Sequence, residues 1–123
     1  MGFPLERFEA YRRAVGFVKQ VNRVVKSPPE GCGNLLNQLR RAAVSIPLNI
    51  AEGYGRYNPA DKRRFYLIAR GSCYECAAAV DLCLEFGLVD ASTHSSLMDD
   101  LDQVSRMLTA LARRGQKQPP ATQ

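Results

Sequence analysis

The sequence contains no tryptophan, one histidine, and no apolar run near the roughly 18 residues that would cross a bilayer. A lone histidine, His94, cannot supply the paired Glu-x-x-His motifs of di-iron helical bundles. No glycine-rich phosphate loop follows a strand, because no strand pattern competes with the helical one. Nothing points to a Ser-His-Asp arrangement, and His94, set among Ser and Thr neighbours, reads as a surface residue. Asp99, Asp100 and Asp102 read as a solvated helix face rather than a cation site. These absences predict a chain that is not an enzyme and carries no cofactor. The opening MGFPLERFEAYRR is charged and lacks the apolar stretch of a signal peptide. Glu6 stands where a myristoylation pattern needs Ser or Thr. The expected location is cytoplasmic, with no membrane partner.

Cysteine is sparse, at four residues. Cys32 stands alone in a loop, while Cys73, Cys76 and Cys83 fall in one predicted helix, where they are poorly placed to bridge one another. The Cys-x-x-Cys at 73 and 76 lacks both the strand-before-helix setting of a redox pair and the further ligands of a zinc site. Core-filling cysteines, with no metal and no disulfide, are expected. Acidic residues are scarce in the first part of the chain. Residues 1–70 carry 13 Lys/Arg against 5 Asp/Glu, and residues 71–123 carry 4 against 7, within a net charge of +5. A basic half suggests an anionic partner such as nucleic acid; alternatively the two halves complement one another, within a subunit or between subunits.

What is present is a helical pattern. The 123 residues suffice for one domain, and 46% hydrophobic with 24% charged is a globular composition. A first helix is expected from about Glu6 to Lys26, its main stripe being Leu5, Phe8, Tyr11, Val15, Val18 and Val25. A second stripe, Ala14, Phe17, Val21 and Val24, widens the apolar face beyond what one bundle seam needs, which suggests an oligomer. Ser27-Pro28-Pro29 ends it. A second helix starts with Asn34 as N-cap and carries Leu36, Leu39, Ala43, Ile46 and Ile50 through Pro47, where a kink is expected, to Gly53 and Gly55. A third helix has Asn58 as cap, Pro59 at its first position and Asp61 at the capping-box place, with Phe65, Ile68, Ser72, Cys76, Ala79, Cys83 and Phe86 on one face and Gly87 as the stop. A fourth is capped by Asp90 or a nearby Ser/Thr and has Leu97, Leu101, Val104, Leu108 and Leu111 as its seam. The fold class is all-α: an antiparallel up-down-up-down four-helix bundle over 1–114, with 115–123 a polar, proline-containing tail expected to be disordered.

The segment from Arg40 to Arg56, RRAAVSIPLNIAEGYGR, is followed at a fixed distance by Ile68-Ala69-Arg70-Gly71-Ser72-Cys73-Tyr74-Glu75. Together they resemble the signature of the four-helix-bundle 23S rRNA intervening-sequence proteins, and the resemblance runs from Phe8 to Leu108. Cys73 and Cys76 depart from the helix residues expected there without disturbing the fold. The resemblance implies a homo-oligomer, a ring of five bundles. It also implies kinship with the accessory proteins of diversity-generating retroelements, basic barrels that engage nucleic acid and a reverse transcriptase. It implies no established activity.

Two constellations are candidates for function. On the second helix Arg41, Ser45, Asn49 and Glu52 recur at three-and-four spacing, with Glu75 on the third. They form either a polar surface for RNA or a partner, or a subunit interface and ordered polar network. Lys62, Arg63 and Arg64 crowd the start of the third helix, where the dipole disfavours cations, with Arg56, Arg70, Tyr57 and Tyr66 close in sequence. Basic residues interleaved with aromatics suit phosphate contact and base stacking; a solvated end whose charges pair with a neighbour's acids is the other reading. The expected function is a non-enzymatic oligomeric bundle that binds RNA or DNA through its basic half. The alternative is a scaffold that docks an unidentified acidic protein.

Overall fold

The computed structural model describes residues 2–24 and 30–115. A short 3-10 turn, Pro4–Arg7, leads into four helices: α1 Glu9–Val24, α2 Gly33–Tyr54, α3 Pro59–Glu85 and α4 Ala91–Gly115. They pack on one another as an all-α four-helix bundle. No strand occurs among the described residues. The expected end of the first helix at Ser27-Pro28-Pro29, its last stripe residue Val25, and the expected tail 115–123 apart from Gly115, which is the last residue of α4, lie outside the described residues.

The first helix begins later than its stripe suggested. Phe8 is extended (φ −79°, ψ 115°) and its N–H bonds the Leu5 carbonyl at 3.0 Å, so the 3-10 turn closes before α1 opens. That break carries the Phe8 ring onto Tyr54 at the end of α2, with centroids 4.5 Å apart. The seam of α1 is Ala10, Ala14, Phe17 and Val21, the stripe read as secondary. Phe8, Tyr11 and Val18 of the other stripe lie half-buried against the edge of the core. Alanines at 10 and 14 let the backbone approach its neighbours, so this narrower side faces inward. The surplus apolar surface expected of α1 is therefore largely absorbed by the bundle.

In α2 the cap is Cys32, not Asn34. The Leu36 N–H bonds the Cys32 carbonyl at 3.2 Å, and no side chain caps the helix. The helix continues unbroken through Pro47, which is buried, and Leu36, Leu39, Ala43, Ile46 and Ile50 all face the core. Gly55 ends it, its N–H reaching the Ala51 carbonyl at 3.0 Å. Gly53 inside the last turn permits a close approach: a Cβ there would stand 2.7 Å from Tyr66 Cε1 and 3.2 Å from the Lys62 carbonyl oxygen.

The start of α3 follows its sequence signals. Asn58 Oδ1 accepts from the N–H groups of Ala60 (2.8 Å) and Asp61 (3.4 Å) behind Pro59. The far end is a Schellman closure. The Leu88 N–H bonds the Cys83 carbonyl at 2.8 Å and the Gly87 N–H bonds that of Leu84 at 3.0 Å, with Gly87 at φ 73°. The buried face, however, is Tyr66, Ala69, Cys73, Cys76, Ala79, Val80 and Cys83. Ile68 and Phe86 are exposed. Residues 65–68 read Phe-Tyr-Leu-Ile, so periodicity there does not choose a face, and contact with both α2 and α4 draws Tyr66 and Ala69 inward. In α4, Asp90 Oδ1 caps the Thr93 N–H at 2.8 Å, and Leu97, Leu101, Val104 and Leu108 are buried as expected. No charged residue is buried among the described residues. Phe17, Leu39, Ile46, Ile50, Leu97 and Leu108 are the largest fully buried side chains, each worth about 1.5–3 kcal/mol in burial.

Candidate nucleic-acid interface

The four-residue connection 55–58 brings Arg56, Tyr57 and the start of α3 to one end of the bundle. The end of α4 arrives at the same place. Tyr66 packs within the Coulombic reach of Arg114, and Arg113 shares a cleft with Arg63 and Arg70. Two arginine groups result, on opposite flanks of α3. On the α2 flank, the Arg56 and Arg64 guanidinium carbons stand 4.8 Å and 4.4 Å from the centroid of the Phe65 ring. Such cation–π contacts each contribute about 0.5–1 kcal/mol at exposed sites. Arg56 also pairs with Glu52, Nη2 to Oε2, at 2.7 Å.

On the α4 flank, Arg63, Leu67 and Arg70 of α3 face Thr109, Ala112 and Arg113 of α4 across a cleft of about 220 Å³. Arg70 donates to the Tyr74 hydroxyl at 3.2 Å and lies 5.0 Å from that ring. The Nε atoms of Arg63 and Arg70 are buried and bond nothing, a condition that costs on the order of 1–3 kcal/mol per unsatisfied donor. Among the described residues, no carboxylate pairs with Arg63, Arg64, Arg70, Arg113 or Arg114. Cations therefore outnumber paired carboxylates at this end.

Two residues expected in the basic site have other work. Tyr66 is 4% exposed, and its hydroxyl is pushed above the ordinary tyrosine range mainly by burial, so it offers no ring face to a base. Lys62 turns back to α2, where Nζ donates to the carbonyls of Tyr54 (2.9 Å) and Gly53 (3.2 Å). It closes the C-terminus of α2, whose last carbonyls have no intrahelical partner. Tyr57 is fully exposed. Arg113 and Arg114 were missed by sequence reasoning, although two arginines in the last turn of a helix are a visible cation pair well placed for the dipole.

The polar set on α2 does not form one buried network. Ser45 and Ser72 hydroxyls share a hydrogen bond between α2 and α3, Asn49 Nδ2 donates to its own helix at the Ser45 carbonyl (2.8 Å), and Glu52 serves Arg56. Arg41 and Glu75, both exposed, flank a wide cleft with Gln38 and Ser45.

The remaining reactive groups are quiet. The thiols of Cys73 and Cys76 are buried and pushed up to about 12, chiefly by desolvation, which holds them as unreactive thiols at neutral pH. His94 is not a plain surface residue, since its Nε2 lies 2.8 Å from Asp81 Oδ1. Asp100 accepts from Gln20 Nε2 at 2.6 Å and Asp102 from Arg106 Nε at 3.0 Å. Among the described residues, no group of three or more His, Cys, Asp or Glu is arranged to hold a metal ion, and no helix is long and apolar enough to cross a membrane.

Comparison with known proteins agrees with the fold. A crystal structure described as a protein of unknown function from the S23 ribosomal protein family of Bacteroides thetaiotaomicron superposes with a TM-score of 0.78. It shares 17% identity, covering 86% of this chain and 96% of that one. No curated protein matches significantly. The family model for the 23S rRNA-intervening sequence protein matches residues 6–110, which takes in all of α1, α2 and α3 and most of α4. The chain belongs to the 23S rRNA-intervening sequence protein family.

Proposed function

We propose that this chain is a non-enzymatic, self-associating helical scaffold that binds nucleic acid, RNA foremost, through its arginine-rich end. The observation that carries the reading is the gathering of Arg63, Arg70, Arg113 and Arg114, without carboxylate partners among the described residues, where the first part of α3 meets the end of α4. Cations gathered without counter-charges attract a polyanion, which neutralises them on binding. The test is fluorescence anisotropy with a labelled RNA, repeated across salt concentrations. Each phosphate contact contributes a logarithmic slope of about −0.7 on single strands and about −0.9 on duplex DNA. Absence of binding at about 50 mM salt, where attraction is still strong, would transfer the arginines to an acidic protein partner.

Self-association is supported by a different face. Arg41, Ser45, Leu48 and Glu52 of α2, and Ile68, Ser72, Glu75, Leu82 and Phe86 of α3, recur at three-and-four spacing on the two sides of the Ser45–Ser72 bond. Leu48 and Phe86 are 63% and 64% exposed, and Arg41 and Glu75 line one cleft between α2 and α3 with opposite charges. A second copy can cover the apolar residues and pair the charges in the same contact. The resemblance to ring-forming relatives sets the expected number at five. Light scattering after size exclusion should return about five times 13.7 kDa, and Leu48→Glu with Phe86→Glu should return the single mass. A wild type that elutes as a monomer overturns this part.

A further inference from the structure

We infer that the cleft between α3 and α4, rather than the crowded first turn of α3, is the track for the sugar–phosphate backbone, and that its occupant is single-stranded. The inference rests on the nucleic-acid reading above and narrows it to one flank of α3 and one class of ligand.

Three features of the cleft point there. Its charged members are all cations: Arg63, Arg70 and Arg113, with Leu67, Ala112 and Thr109 between them and no carboxylate in the lining. The Thr109 hydroxyl already donates to the Ser105 carbonyl at 3.1 Å, which leaves its oxygen lone pairs as the cleft's side-chain acceptor. Arg63 and Arg70 stand seven residues apart on one helix, about 10.5 Å along its axis at about 1.5 Å per residue. An extended chain with repeated phosphates can follow cations spaced along a helix in this way. Tyr57 decides between single strand and duplex: an unpaired base can stack on its exposed ring, whereas the bases of a duplex are already stacked on one another.

The other arginine group is less suited. Arg56 is already paired with Glu52, and Arg56 and Arg64 both lie over Phe65. Lys62, in the same turn, is bonded to two backbone carbonyls. Contact to phosphate or to the apolar floor does not read base identity, while the Thr109 oxygen can accept from a 2′-hydroxyl, so an RNA strand should bind at least as tightly as the DNA of the same sequence. Tyr57, fully exposed beside the α3 start, is free to stack a base without choosing one.

The experiment compares the full-length protein with Arg70→Gln/Arg113→Gln, which alters the cleft, and with Arg56→Gln/Arg64→Gln, which alters the opposite flank. The probes are a labelled 20-nucleotide RNA, the DNA of the same sequence, and the DNA duplex. The cleft variant should bind both single strands about tenfold more weakly or worse, with its salt slope reduced by about 1.4. The opposite-flank variant should change affinity by less than about threefold. The wild type should prefer either single strand to the duplex. Circular dichroism confirms that the variants fold, and Arg113→Glu, at an exposed position in the last turn of α4, repeats the cleft test without touching the Arg70–Tyr74 contact. If the cleft variants bind like wild type while the opposite-flank variant weakens, the track is misassigned although nucleic-acid binding stands. Equal or tighter duplex binding overturns the single-strand assignment. No binding of any probe by the wild type overturns the underlying reading as well.

Discussion

Where α3 passes into α4, polar groups are occupied by backbone or by one another: Asp90 caps the Thr93 N–H, Gly87 and Leu88 close the last carbonyls of α3, and His94 meets Asp81. Where α2 passes into α3, Asn58 and Lys62 do similar work, but five arginines around them have no carboxylate partner among the described residues. One end is finished as a fold and the other carries a surplus of charge that folding does not require. The contrast teaches where to look for function: at the end where folding leaves cations without carboxylate partners.

The largest expected difference between the ends comes from their glycines. Gly53→Val would drive a branched side chain into the Tyr66 ring and the Lys62 carbonyl, and should cost about 3 kcal/mol by overpacking. Gly87 has open space around it and needs only its positive φ, so Gly87→Ala should cost about 1–2 kcal/mol. Urea unfolding of both variants measures the pair; an equal loss would mean that the close approach at Gly53 is not tight.

A smaller contrast lies in pH. The Asp90 carboxyl is held below its ordinary value of 3.8 by the Thr93 N–H, so its contribution is present above pH 4 and is lost as pH falls through the lowered pKa. Asp100 has the opposite sign. Burial raises it despite the Gln20 bond, so its charged form opposes folding and stability is regained as pH falls through the raised value. Thermal melts from pH 6 to 3 should show Asp90→Ala destabilised at neutral pH and converging on wild type in acid. Asp100→Asn should gain less than about 0.5 kcal/mol at neutral pH and nothing in acid. Identical profiles for the two variants would erase the distinction.

The smallest expected effect is none. Cys73, Cys76 and Cys83 are free and buried, so reductant or chelator should leave the melting temperature within about 2 °C. Loss of helicity with chelator would break the view that the far part of α3 is held by packing.

Much of this fold was legible in the sequence because its signals are local. Asn58-Pro59, Gly87 and the leucine seam of α4 each specify a start, a stop or a face within one helical turn, and the structure follows them. The face of α3 was not legible, since Phe65 through Ile68 are all apolar and tertiary contact from two sides chose Tyr66 over Ile68. The inward face of α1 was misjudged for a related reason: small alanines at 10 and 14 make a better seam than larger residues beside them. At the candidate site, sequence proximity gathered Arg56, Lys62, Arg63, Arg64 and Arg70, but could not show that Lys62 bends back to α2. Nor could it bring in Arg113, more than forty residues away along the chain and across one cleft from Arg63.

The Lys62 amine on the Gly53 and Tyr54 carbonyls has a consequence for motion. It ties the third helix to the last turn of the second, so the four residues between them are fastened at both ends. Tyr57 then swings on a backbone that is already ordered. A ligand that stacks on its ring gives up side-chain freedom, about 0.5–1.5 kcal/mol for an immobilised side chain, and none of the roughly 1–2 kcal/mol per residue that ordering a loose loop would cost. Lys62→Met should therefore leave the arginines in place yet speed amide hydrogen exchange across 55–58, separating attraction of a ligand from readiness to receive it.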